Sequence, residues 1–194
     1  MRSRHCNAVR LLFVALVSCL SWSLQAASPH STIERLVATE QSGKVTVRFE
    51  LASIFEQEEM VEALRSGLPT SFTYSIEIYR DRPNWFDDTI ARSLIEVICT
   101  YNSVTREYLL NTRRDRKLVR SETFTDLALL QRHMTSVDEP ELFDIGDRKP
   151  YKLKVRAKAD LMRGWLMYVI PWEVSTNWRE ARVKTAEGSR AGQR

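Results

Sequence analysis

Cysteine and histidine are scarce in this sequence, three of each among 194 residues. Cys6 and Cys19 fall in an N-terminal stretch with the pattern of a cleavable leader, which leaves Cys99 for the mature chain. One cysteine makes neither an intramolecular disulfide nor a thiolate metal cluster. It lies in the apolar run 94–99, where a thiol behaves as a small buried hydrophobe. With His30 beside the leader, a zinc site or a Ser-His-Asp triad would have to use His133, and its neighbours Leu129, Leu130 and Met134 make it an ordinary packed or surface histidine. Six glycines and six prolines are too few for a low-complexity chain. No GxSxG elbow, HExxH helix, Walker loop, GxGxxG turn or CxxC pair occurs. No catalytic residue, cofactor or metal ligand is therefore expected, and the chain reads as non-enzymatic, with a carboxylate-only mechanism left open.

An excess of one charge is also missing where it counts. The whole sequence has a pI near 9.1 and a formal charge of +4. Arg2, Arg4 and Arg10 belong to the leader, and without it 26 basic residues face 25 acidic ones. A balanced body gives no support to nucleic-acid binding.

The leader itself has three parts. Residues 1–10 are cationic, 11–20 apolar, and 21–27 polar and small, so residues 1–27 are expected to be removed after Ala26 or Ala27. The apolar run is shorter than the roughly 20 residues of a spanning helix. Leu16-Val17-Ser18-Cys19 also resembles a lipobox, which would lipidate Cys19, but Leu20, Trp22 and Leu24 continue the apolar run where a lipoprotein turns polar. The expectation is one β-rich extracytoplasmic domain over 28–183, periplasmic or secreted, with a flexible basic tail at 184–194.

Within that domain, 33–38 and 44–51 flank a Gln41-Ser42-Gly43 turn, and Val45, Val47, Phe49 and Leu51 alternate with Thr46, Arg48 and Glu50. Residues 56–65 have the period of an amphipathic helix ended by Gly67 and Pro69. Strands are expected over 70–79, 91–101, 106–110 and 117–121, a meander. A short helix follows over 126–134 with Thr125 as cap. Next come an acidic loop over 138–147 and a strand over 151–159. Residues 161–170 are apolar all round and suit strand or buried helix; 172–183 suit a last strand. Asp138, Glu139, Glu141, Asp144 and Asp147 match no calcium-loop spacing and read as a plain acidic loop. Trp165, Trp172, Trp178 and Tyr168 read as core.

The most unusual feature is the row Lys152, Lys154, Arg156 and Lys158, whose side chains share one strand face about 7 Å apart. With the tip Arg113, Arg114 and Arg116 it would make an anion-binding patch facing a membrane surface or another anionic envelope polymer. Two other readings account for it equally, an edge strand guarded by cations or a strand with acidic neighbours.

Three blocks carry a family resemblance: Glu62-Ala63-Leu64-Arg65-Ser66-Gly67-Leu68-Pro69 before the strand 72–78, then Arg80-x-Arg82-x-x-Trp85-x-Asp87, then Trp172-x-x-x-Thr176-x-Trp178. The chain resembles the bacterial domain of unknown function 4390. The resemblance implies an exported, β-rich envelope protein and supplies no catalytic residue, cofactor or substrate.

The expected fold is mainly β: an antiparallel β-sandwich or barrel-like sheet with one or two short helices, the 56–65 helix over one opening. The expected function is that of an envelope module binding a partner protein or an anionic surface. The alternative is a carrier of a small apolar ligand held by Leu64, Phe72, Tyr74 and Trp85. The oligomeric state has no signature in the sequence.

Overall fold

The computed structural model describes residues 31–82, 87–162 and 173–186. The leader with its lipobox, Trp85, Trp165, Tyr168, Trp172, most of the 161–170 segment and the end of the tail lie outside the described residues.

β1 (Thr32–Gln41) and β2 (Lys44–Ala52) form a hairpin. Ser42 and Gly43 both have positive φ, the type I′ turn whose twist suits a two-residue loop. A Cβ on Gly43 would stand 3.2 Å from the carbonyl oxygen of Gly146, so space as well as φ requires glycine there. On β2 the expected alternation holds, with Val45, Val47, Phe49 and Leu51 buried. A short 3-10 turn (Ile54–Glu56) leads into α1 (Glu58–Arg65), which buries Met60 and Leu64. β3 (Thr70–Arg80), β4 (Asp88–Asn102), β5 (Glu107–Arg114) and β6 (Lys117–Phe124) make the expected antiparallel meander. β5 runs on through Arg114, so the basic tip narrows to the two-residue turn Asp115-Arg116, both at positive φ.

α2 (Leu127–Thr135) is capped by Asp126, not Thr125: the Asp126 carboxylate accepts the Leu129 N–H at 2.8 Å. The supposed acidic loop is largely a strand, β7 (Ser136–Asp144). Its acids face basic residues of β2, with Arg48 on Asp138 at 2.8 Å and Lys44 on Glu141, while Val137 and Phe143 turn into the core. A second 3-10 turn (Pro150–Lys152) precedes β8 (Leu153–Met162). The final apolar-to-polar stretch divides into β9 (Glu173–Ser175) and β10 (Arg179–Thr185).

The strands lie in the order β6-β5-β4-β3-β8-β10-β1-β2-β7, with β9 beside β8. They form one curled sheet, a half-barrel. The expected purely antiparallel arrangement is corrected at one place, where β10 enters between β8 and β1 and runs parallel to β1. Alternation within a strand reports its buried face and not the direction of its neighbour, so that pairing left no trace in the pattern. One core cluster fills the concave side, including Leu64 of α1, Leu130 and Met134 of α2, and the inward residues of β2, β3, β4 and β8. The buried Tyr74 hydroxyl donates to the carbonyl of Met134 at 2.6 Å, pinning the end of α2 over the middle of β3. Helix α2 also contacts β5, β6, β2 and β7, so it straddles the seam between the two ends of the sheet.

Candidate functional site

β8 is a central strand, held between β3 and β10, so its cations do not guard an edge. They meet carboxylates instead. Arg156 lies directly across from Glu77 of β3 and reaches its Oε2 from Nε at 2.8 Å and from Nη2 at 2.6 Å. Glu77 is buried and also takes Arg92 on its other oxygen at 2.8 Å. The Arg156 guanidinium is stacked between Tyr79 and Trp178, about 5 Å from each ring centroid. Lys158 pairs with Asp160 at 2.8 Å, and Lys154 with Asp81 at 2.6 Å. Asp81 holds the Lys154 ammonium above its ordinary pKa. Trp178 is therefore a half-exposed lid on an arginine and not a core residue.

The tip residues divide between the two faces. Arg114 reaches Glu139 of β7 at 3.2 Å. Arg113 pairs in register with Glu96 and so lies on the same face of the sheet as Arg156, two strands away, while Arg116 occupies the turn.

Two members of the row do join a basic pocket. Lys152 and Lys154 line a cleft of about 460 Å3 with Arg80 and Arg82 from the end of β3 and Arg182 from β10. Asp81 is the one acid among the lining residues, with Tyr151 and Leu153 completing the walls. Lys154 is taken up by Asp81, and Arg82 by Asp88 at 2.6 Å. Arg80 is different: its Nε is buried and has no hydrogen-bond partner among the described residues. Buried donors are satisfied as a rule, so an unpaired guanidinium nitrogen marks a place where an acceptor belongs. Lys152 and Arg182 carry no ion pair among the described residues.

At the seam lies a larger cleft, about 640 Å3, floored by Ile95 and Val97 and walled by α2 and β7. Burial raises the Glu139 carboxyl above the usual range, against the pull of Arg114 and Arg120. The His133 ring lies tilted against Phe124 with centroids 4.8 Å apart, and its Nδ1 stands 3.8 Å from Glu122. Arg120 and Arg132 line this cleft without an ion pair among the described residues.

The blocks noted in the sequence sit at definite places here. The 62–69 block is α1 and its exit; Arg80 and Arg82 edge the basic pocket; Thr176 is buried and its Oγ1 accepts the Ala159 N–H at 3.0 Å. The chain belongs to the DUF4390 family. The family model, a domain of unknown function, matches residues 28–182. No curated protein and no solved structure matches the chain.

In this DUF4390 domain three of the four residues expected to line a carrier cavity are described, Trp85 lying outside the described residues. Phe72, Tyr74 and Leu64 are buried in the core, Phe72 against Phe55 and Tyr74 edge-on to Phe49. Cys99 is buried too, its thiol pushed up to about 12 by desolvation. Among the described residues no group of three or more His, Cys, Asp or Glu is placed to hold a metal, and no helix is long and apolar enough to cross a membrane. Of the residues that complete the basic pocket, Arg80 stood out only in a family block and Arg182 carried no signal. They are far apart in sequence, and a place in a pocket depends on pairing that periodicity does not encode.

Proposed function

We propose that this chain is an exported, non-enzymatic binding protein of the bacterial envelope, and that its basic pocket takes a phosphate-bearing anion. The observation that carries the reading is a pocket where five cations meet one carboxylate, with the Nε of Arg80 buried and unpaired among the described residues. A planar guanidinium suits phosphate oxygens, and a half-enclosed site weakens the screening that makes exposed cations unselective. The tripartite pattern of residues 1–27 supports export. The phosphate belongs either to a lipid headgroup or to a free ion, and the pocket chemistry is the same.

The test uses the chain without residues 1–27. Co-sedimentation with phosphatidylglycerol-containing vesicles, against phosphatidylcholine vesicles, reads the surface; calorimetric titration with inorganic phosphate reads the free ion. Arg80→Gln with Arg182→Gln is expected to weaken binding about tenfold, the size of one lost charge-assisted hydrogen bond. The exposed Lys152→Glu, which leaves the core untouched, should act in the same direction. Vesicle binding alone assigns the headgroup, and phosphate binding alone assigns the free ion. Absence of both, or binding that these variants leave unchanged, removes the proposal.

A further inference from the structure

The two ends of the sheet are unlike one another. β7 is a blunted edge: Pro140 has no N–H to offer, Glu141 sits at positive φ, and the β2 ladder slips its register there. β6 has no proline and no residue at positive φ within Lys117–Phe124, and its ladder to β5 slips once, at Val119. It pairs with β5 on one side, and among the described residues nothing pairs with its other side. Residues 117–121 are exposed on both faces, and Leu118 and Val119 keep 59% and 48% of their surface.

We propose that β6 is an open docking edge that takes an acidic, extended segment of a partner protein as an added strand. Main-chain hydrogen bonds to a free edge supply affinity in such complexes, and alternate side chains supply choice. Arg120, opposite the buried Thr112, faces the seam cleft, where Arg132 of α2 also stands; Leu118, opposite the exposed Arg113, lies on the other face, the ladder stepping at Val119. Arg48 and Arg114 are already engaged by Asp138 and Glu139, whereas Arg120 and Arg132 have no ion pair among the described residues. An incoming strand that alternates acidic and apolar residues would therefore set carboxylates beside Arg120 and Arg132, and apolar groups beside Leu118. Charge also argues against a second copy as the occupant. Residues 113–124 carry five cations and two acids, so pairing two such edges gathers positive charge that an acidic strand cancels. This surface is separate from the basic pocket and stands or falls without it.

The test is fluorescence anisotropy of the chain lacking residues 1–27 with a short acetylated peptide alternating glutamate and valine. A copy N-methylated at every second residue keeps the charge and loses the strand-pairing edge. A lysine–valine copy inverts the charge. The glutamate peptide should bind, the N-methylated copy about tenfold or more weaker, and the lysine copy not measurably. Arg120→Glu with Arg132→Glu, both on exposed positions, should abolish binding, and amide exchange should slow over 118–122. Equal binding by the N-methylated peptide, slowed exchange elsewhere, or no binding at all would overturn the proposal. So would self-association through β6, seen by sedimentation velocity, that the peptide does not displace.

Discussion

β8 and β6 both carry cations, and the fold treats them in opposite ways. β8 lies in the middle of the sheet, its apolar face buried and three of its cations matched to carboxylates. β6 lies at the end, residues 117–121 exposed on both faces, with Arg120 in no ion pair among the described residues. The difference comes from neighbours. Glu77 stands directly across from Arg156 on β3, whereas β6 has a neighbour on one side to supply a partner. A run of cations therefore describes a surface only after strand order is known. At β8 the free charge that remains collects at the strand's start, where Lys152 meets Arg80 and Arg182.

The comparison breaks most visibly in the core beneath the central strands. Phe72 is fully buried, so Phe72→Ala should cost about 3–5 kcal/mol, read from urea unfolding. Leu118→Ala on β6 should stay within about 0.5 kcal/mol. Comparable costs at the two sites would mean that β6 is packed against something and is no free edge.

A smaller effect separates the charges. Glu77→Gln leaves Arg156 and Arg92 without their shared carboxylate and should cost about 2 kcal/mol, less than a fully buried pair because both arginines keep some contact with water. Arg120→Gln removes a cation that holds no ion pair and should be within about 0.5 kcal/mol of neutral. Denaturant midpoints at neutral pH measure both. A harmless Glu77→Gln would show that the acids beside β8 are incidental.

Much of this fold was legible because burial imposes period. The alternation on β2, the meander from β3 to β6, the short helices and the Ser42-Gly43 turn all follow from local pattern. β7 escaped because Asp138, Glu139, Pro140 and Glu141 break the apolar alternation at its centre, and the strand is held through Arg48 and Lys44 of β2 instead. The parallel β1–β10 pairing escaped because its partners, Ala38 and Val183 among them, stand at opposite ends of the described chain. The candidate site was half visible. Lys152 and Lys154 were evident as cations in a row, but their companions Arg80 and Arg182 are brought to them by strand pairing.

The last contrast lies within the seam and is read by pH. Glu139 is buried beside Arg114, and desolvation raises its carboxyl above the ordinary value despite the arginine. A raised folded-state pKa means that the folded chain holds this proton more tightly than the unfolded chain does. The stabilisation it gives is complete below the ordinary glutamate value and is lost as pH rises through the raised one. Glu139→Gln removes the titration. The stability of wild type relative to this variant should therefore decline as pH rises above the ordinary glutamate value, as urea midpoints measured across a pH series would show. At neutral pH the two should lie within about 1 kcal/mol, since Arg114 is partly exposed and water takes over its charge. Arg114→Gln should steepen the decline in the Glu139 protein by removing the cation that opposes desolvation. Parallel profiles for wild type and Glu139→Gln would mean that water already reaches this carboxylate, and that the seam is as open on the β7 side as it is along β6.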